Sequence, residues 1–68
     1  MALREARARR NWTQEQLEAA SGVDQGLISR LERGTSTNPT FDTVQKLEAA
    51  LKLRRGTLVF GQVMEKAS

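Results

Sequence analysis

The sequence predicts an all-α fold, a compact bundle of four to five short helices around one core. Helix-forming residues (Ala, Leu, Glu, Gln, Arg and Lys) dominate the chain, and only one proline interrupts them. Apolar residues recur at helical spacing in several short segments, and most glycines fall between those segments. Because 68 residues are enough for only one small core, residues 1–68 are predicted to form a single domain, with a looser end from about residue 61.

The first helix is predicted over Ala2–Arg10. Leu3 and Ala6 are spaced to lie on its inner face, facing the rest of the bundle. Asn11 follows directly and can adopt the left-handed conformation that ends many helices, so we expect the first helix to stop there.

The second helix is predicted to begin at Thr13 and to end near Ser21. Thr13 is a favourable N-cap residue, and Gln16 stands three residues later, where it can complete a capping box. Leu17 and Ala20 are the residues expected on its inner face.

The third helix is predicted over Asp24–Arg33, with Asp24 as its cap and Gly34 as its stop. Its ten residues give it a length of about 15 Å. Val23, Ile28 and Leu31 are expected to hold it on the core.

The fourth and fifth helices follow a loop with the sequence TSTNPT, in which Pro39 disfavours helix at the preceding residue. Thr40 is predicted to cap the fourth helix. Its inner stripe is expected to comprise Phe41, Val44, Leu47 and Leu51. A short fifth helix is predicted over Arg55–Phe60, although the letters TLVF within it are also typical of a strand.

The composition removes several classes of function. The chain has no cysteine and no histidine, so it lacks thiolate ligands, the commonest metal ligand and the commonest general base. We therefore expect no catalytic residues, no metal and no cofactor, and we do not expect an enzyme. The sequence has no apolar run of the roughly 20 residues that a membrane span requires, and we expect a cytoplasmic protein.

The charge balance is compatible with an anionic partner. Lys and Arg number 11 against 8 Asp and Glu, and most of the basic residues are Arg. Arginine suits the bidentate recognition of phosphates and of guanine edges. The same excess also fits an ordinary solvated surface.

The second and third helices are separated only by the letters SGVD, in which Gly22 can adopt a positive φ. A turn this short predicts a helix-turn-helix, whose second helix can enter the major groove of DNA. The outward arc of the third helix is predicted to comprise Gln25, Gly26, Ser29, Arg30 and Arg33. Glutamine can bind adenine and arginine can bind guanine through paired hydrogen bonds, although a polar arc of this kind is also typical of a solvated helix face.

The segment WTQEQLEAASGVDQGLISRLERG, residues 12–34, resembles the helix-turn-helix of the lambda-repressor and Cro-like (Xre-type) DNA-binding family. The resemblance extends from LREAR at residues 3–7 to NPTFDTVQKLEAAL at residues 38–51, and it implies a lambda-repressor-like bundle. It implies base contacts from Gln25, Gly26, Ser29 and Arg30. It implies contacts with the DNA backbone from Thr13, Gln14, Arg33 and Asn38; for Gln14, the positive end of the second helix adds a physical reason.

Two positions depart from that family. Glu18 stands where the family usually has a small alanine against the third helix, and Lys52 stands where it often has a glycine after the fourth helix. The first departure affects the local helix spacing, and the second affects the predicted fifth helix and any interface that it forms.

One charged pair is predicted inside the bundle rather than at the binding face. Arg7 falls four residues after Leu3, on the inner stripe of the first helix, where an arginine needs a partner. Glu32 lies on the flank of the third helix that should face the first. The resemblance implies the same pair, which is structural rather than functional.

These observations favour a sequence-specific regulator of transcription, a repressor or controller, that binds double-stranded DNA with residues 24–33. Because one short helix contacts few base pairs, we expect a homodimer on a palindromic operator, with Leu58, Phe60 and Val63 as candidates for the interface. Two alternatives stay open. The domain could be a protein-interaction module, such as an antitoxin that binds a partner protein, or the DNA-binding domain of a longer repressor.

Overall fold

A computed structural model describes residues 1–35 and 39–60 of the chain. Within them lie four helices, and no strand is present in these two ranges. The helices are α1 (Leu3–Arg9), α2 (Gln14–Ser21), α3 (Gln25–Arg33) and α4 (Phe41–Ala50). The predicted all-α class is confirmed, and so are the four helices, whose ends fall close to the predicted ones.

Each of the last three helices begins at a side-chain cap that the sequence predicts. Thr13 and Gln16 form a complete capping box: the Gln16 backbone N–H donates to Thr13 Oγ1 at 3.0 Å, and the Thr13 backbone N–H donates to Gln16 Oε1 at 2.7 Å. Asp24 Oδ2 accepts from a backbone N–H of the first turn of α3 at 3.2 Å. Thr40 caps α4 in the same way at 3.2 Å. These local bonds fix where the helices start.

Left-handed residues end or follow the helices. Gly22 (φ 80°) and Gly34 (φ 82°) are the C-caps of α2 and α3, and Asn11 (φ 59°) lies beyond α1 as predicted. Lys52 also has a positive φ of 57°, two residues after α4 ends. This backbone conformation is unfavourable for Lys52 because the residue has a Cβ atom. The family often has a glycine at this position, which adopts a positive φ without that cost.

The core is a single cluster between the helices. Leu17, Ile28 and Leu47 are its fully buried centre, one from each of α2, α3 and α4. α2 packs against both α3 and α4, and α1 packs against α3. The remaining buried apolar residues are Leu3, Ala6, Val23, Leu31, Leu51, Leu58 and Phe60.

Two of the residues expected in the core are exposed. Ala20 is accessible on α2, and Phe41, the first residue of α4, keeps 66% of its surface accessible. At about 100° per residue, Phe41 lies about 120° around the helix from Leu47, so it cannot share the buried face that Leu47 defines. The apolar spacing of α4 therefore predicts Leu47 and Leu51 correctly but not its first turn.

The predicted fifth helix over residues 55–60 is wrong, because this part of the chain is non-helical. The Thr57 N–H donates to the Arg54 carbonyl in a turn, but the N–H groups of Gly56, Leu58 and Val59 bind partners elsewhere in the molecule. The Val59 N–H donates to the Met1 carbonyl at 3.0 Å, and the N-terminal ammonium of Met1 donates to the Thr57 carbonyl at 2.8 Å. Leu58 and Phe60 are buried, so this segment completes the core in a non-helical conformation.

A buried glutamate, which the sequence does not single out, holds the same segment. Glu48 is only 3% exposed, and its Oε2 accepts from the backbone N–H groups of Gly56 (2.9 Å) and Leu58 (3.0 Å). In an α-helix these two N–H groups would donate to backbone carbonyls four residues earlier. Here the Glu48 carboxylate accepts both hydrogen bonds. Glu48 stands four residues after Val44, on the inner stripe of α4, and a charge at that position was the available signal.

In the two described ranges, no helix is both long enough and apolar enough to cross a membrane.

Candidate nucleic-acid interface

The turn between α2 and α3 is short and tightly bonded. Only residues 22–24 separate the two helices. The Gly22 N–H donates to the Glu18 carbonyl at 2.8 Å, and the Val23 N–H donates to Ser21 Oγ at 3.1 Å. Val23, the middle residue of the turn, is buried in the core. Its burial fixes the position of the turn and therefore the direction in which α3 begins.

α3 has one face in the core and one face toward solvent. Ile28 and Leu31 are buried, and Leu27 packs partly against the same cluster. The outward face comprises the exposed Gly26, Arg30 and Arg33 and the half-buried Gln25 and Ser29. This face is the arc that the sequence predicts. Its two cations lie in the second half of the helix, and its amide donor and acceptor lie at the first residue.

A hydrogen-bonded network joins α1, α2 and α3 behind that face. Arg7 Nε and Nη2 donate to the two oxygens of Glu32 at 2.7 and 2.9 Å, and Arg7 Nη1 donates to the Trp12 carbonyl at 2.8 Å. Gln14 Nε2 donates to Glu32 Oε1 at 3.1 Å. The pair is largely enclosed, since the Arg7 side chain is 16% exposed and that of Glu32 is 5% exposed. Glu32 thus fixes the first residue of α2 relative to α3.

Both charges of this pair are stabilised in their ionised forms. Burial alone would raise the pKa of Glu32, but hydrogen bonds from Arg7 and Gln14 and the positive charge of Arg7 outweigh it, so the pKa of Glu32 lies below its ordinary value. The hydrogen bond to Glu32 raises the pKa of Arg7, which is ionised in any case. The carboxylate therefore remains an acceptor at neutral pH.

Several basic residues near the helix ends are used by the fold. Arg10 Nε donates to the Leu51 carbonyl at 3.2 Å, and its guanidinium carbon lies 5.3 Å from the centroid of the Trp12 ring. This places Trp12 at the edge of the core, as a scaffold residue. Arg9 pairs with Glu5 on the surface of α1 at 3.3 Å. In contrast, Arg30 and Arg33 are exposed, and neither is part of an ion pair within the described residues.

The remaining predicted site residues fall into three groups. Thr13 is exposed next to Gln14, at the start of α2. Asn38 and Val63 lie outside the described residues. Leu58 and Phe60 cannot serve as the dimer interface that the sequence suggests, because they are 6% and 8% exposed within the chain's own core, whereas Val59 between them is 55% exposed.

Two helices joined by a three-residue turn, the second with a polar outward face and an apolar inward one, define a helix-turn-helix protein. The comparison with known families agrees: residues 3–58 match the family described as Helix-turn-helix. The chain belongs to that family, of the Xre and lambda-repressor-like type.

Two relatives carry the same class in their names. The chain is similar to the HTH-type transcriptional regulator SlrR of Bacillus subtilis (strain 168), with 33% identity over 58 residues, which are 85% of this chain and 38% of the relative. It is also similar to an uncharacterized HTH-type transcriptional regulator of Haemophilus influenzae, with 51% identity over 39 residues, 57% of this chain and 39% of the relative. The matched segments thus span well under half the length of these relatives. No solved structure matches the chain significantly.

Proposed function

We propose that this domain binds double-stranded DNA in a sequence-specific manner, with α3 in the major groove, and that it regulates transcription as a repressor or controller. One observation carries the proposal. α3 is held by Ile28 and Leu31, yet it leaves a continuous polar face. This face includes Gln25 and two arginines, Arg30 and Arg33, that form no ion pair within residues 1–35 and 39–60. An α-helix with its side chains is about 10–12 Å across, which suits a major groove about 12 Å wide.

Base contacts are assigned to three residues on the outward face of α3: Gln25, Ser29 and Arg30. Gln25 is its first residue, and the N-terminal end of the second helix approaches base edges in this motif. Arg30 lies on the same face and can bind guanine O6 and N7 with two hydrogen bonds. Ser29 lies between them and can donate or accept.

Backbone contacts belong to Gln14, Thr13 and Arg33, and Asn38 is proposed to join them. Gln14 opens α2, where unpaired backbone N–H groups favour a phosphate. Its Nε2 carries two hydrogens, of which one is donated to Glu32, so the other can be donated to a phosphate oxygen. The network behind the face therefore supports Gln14 without consuming its binding capacity.

The test compares four single variants of the domain: Gln25→Ala, Arg30→Ala, Arg33→Ala and Gln14→Ala. Each is titrated with a duplex selected from a random pool and with a scrambled duplex, at several salt concentrations. Gln25→Ala and Arg30→Ala should each lose about 1–3 kcal/mol of discrimination between the two duplexes. Arg33→Ala should weaken both alike and lower the salt slope by about one, whereas Gln14→Ala should weaken both with little change of slope.

Two outcomes would change the proposal. Equal losses on both duplexes for Gln25→Ala and Arg30→Ala would make α3 a generic basic surface. No loss for any of the four variants would favour the protein-interaction alternative. That alternative requires aromatic or aliphatic anchors on the binding face, and the two large exposed apolar residues of the described chain, Phe41 and Val59, both lie outside α3. The operator, the homodimer and the cytoplasmic location remain part of the proposal.

A further inference from the structure

We infer that Gly26 determines specificity through Arg30: the missing side chain at position 26 leaves the space in which the Arg30 guanidinium lies, and so lets Arg30 bind a guanine near the leading end of α3. This inference rests on the proposed function. It gives Gly26, which has no side chain to contact a base, a defined part in base recognition.

The backbone of α3 does not itself require a glycine at this position. Gly26 is the second residue of the helix, and it is not among the residues with positive φ, unlike Gly22 and Gly34. Glycine is the poorest helix former after proline, so a nine-residue helix would gain from almost any other residue there. The small size of the residue at position 26 therefore matters for the space around it.

That space is occupied by two other side chains. A Cβ atom at position 26 would lie 2.8 Å from Oδ2 of Asp24 and 3.5 Å from Nη1 of Arg30. Arg30 is four residues later, and helical side chains lean toward the N-terminus, so its guanidinium reaches back over the helix surface at position 26. The Asp24 oxygen is the cap of α3, accepting from the Leu27 N–H. A larger side chain at position 26 must displace one of these groups or both.

The two contacts are not equally restrictive. A separation of 3.5 Å from Arg30 is ordinary van der Waals contact, so alanine would leave the guanidinium in place and would disturb only the Asp24 oxygen. Valine adds two γ carbons beyond the same Cβ atom and would fill the space that the guanidinium uses. Gly26→Ala is therefore the matched control for Gly26→Val, because both variants place a Cβ atom against Asp24.

The consequence for DNA concerns one base pair. Because it lies over position 26, the Arg30 guanidinium is nearer than the Arg30 Cα atom to the end of α3 that enters the groove. A guanidinium is a bidentate donor to guanine O6 and N7. We therefore assign to Arg30 the guanine that lies opposite position 26. Gly26 has no side chain that would come between the guanidinium and the O6 and N7 atoms of this base.

The experiment measures the affinity of wild type, Gly26→Ala, Gly26→Val, Arg30→Ala and the Gly26→Val/Arg30→Ala double variant. Each protein is titrated with the selected duplex and with a second duplex in which the assigned guanine is replaced by adenine. Wild type and Gly26→Ala should prefer guanine, by roughly tenfold to hundredfold. Gly26→Val and Arg30→Ala should both lose that preference, and the double variant should bind like Arg30→Ala alone. Circular dichroism checks the helix content of Gly26→Val, and Gly26→Leu replaces it if the fold is lost.

Two results would overturn the inference while leaving the proposed function intact. A full guanine preference in Gly26→Val would mean that Arg30 does not need the space. An equal affinity loss from Gly26→Val with and without Arg30 would mean that a side chain at position 26 meets the DNA itself. If the wild-type chain shows no preference for any duplex, the proposed function fails and the inference fails with it.

Discussion

At the scale of single residues, the Arg7–Glu32 pair is a largely enclosed ion pair that joins α1 to α3. It has two hydrogen bonds, a third bond to the Trp12 carbonyl, and little solvent around it. Losing one partner of a buried pair leaves the other charge enclosed and unpaired. Because Arg7 keeps some exposure, we expect Arg7→Ala and Glu32→Ala each to lower the free energy of unfolding by about 3 kcal/mol, the lower end for buried pairs.

Urea unfolding of the two variants measures this loss. The exposed Glu5–Arg9 pair on α1 provides the matched control. Arg9→Ala removes an arginine from the same helix, but the Glu5 carboxylate that loses its partner remains in solvent. A loss below about 1 kcal/mol in both Arg7→Ala and Glu32→Ala would place the pair among surface contacts.

The low pKa of Glu32 makes part of this stability depend on pH. Its pKa is lower in the folded state than in the unfolded chain, so the stabilisation is present above the unfolded value of about 4.3 and is lost as the pH falls through the folded value. We expect the difference in unfolding free energy between wild type and Glu32→Gln to be constant from pH 7 to about 5 and to shrink below about pH 4. Denaturant titrations across that range measure the difference, in which the other carboxylates cancel. A difference that stays constant to pH 3 would contradict the prediction.

At the scale of elements, short-range signals predict the helices and long-range contacts explain what they miss. Thr13, Asp24 and Thr40 cap helices through bonds to residues three positions away, so the caps are visible in the sequence. The segment after α4 is different. Its non-helical conformation depends on Met1, 56 residues from its partner Thr57, and on the buried Glu48. Met1 lies far outside the local window from which a helical period is recognised, and the Glu48 hydrogen bonds span 8 and 10 residues, well beyond one helical turn.

The candidate site divides in the same way. The outward arc of α3 follows from helical spacing, and the Arg7–Glu32 pairing follows from a charge on an inner stripe. The reach of Arg30 over Gly26 does not, since it depends on a side-chain conformation that spacing leaves open. Burial of Leu58 and Phe60 likewise depends on the path of the chain after α4, and Val63, the third interface candidate, lies outside the described residues.

Glu48 provides the test of how the segment after α4 is held. Glu48→Ala would leave the N–H groups of Gly56 and Leu58 without an acceptor, at about 1–3 kcal/mol for each group that stays buried. Glu48→Gln keeps an oxygen in a side chain of the same length. We expect urea unfolding to show a loss of several kcal/mol for Glu48→Ala and a clearly smaller one for Glu48→Gln. Equal losses would mean that the negative charge, rather than the acceptor, holds the segment.

At the scale of the whole molecule, the proposed function places one helix of 9 residues against DNA, and a single short helix contacts too few base pairs for a selective regulator. Two copies related by a twofold axis double that number. We therefore expect duplexes selected from a random pool to contain an inverted repeat, with half-sites about 10 base pairs apart, one turn of DNA. Analytical ultracentrifugation of the complex should give two chains per duplex. Scrambling one half-site should weaken binding by at least about tenfold, because each mismatched base pair costs about 1–3 kcal/mol.

The arrangement of the described residues limits where such a pair of chains can meet. Leu58 and Phe60 are enclosed in each chain's own core, so an interface built on them would require each domain to open. If the two chains associate only on DNA, the unfolding free energy of the free domain is independent of protein concentration. Unfolding at protein concentrations a hundredfold apart, without and with the selected duplex, checks this expectation. A selected motif with no inverted repeat, or one chain per duplex, would mean that the domain acts singly.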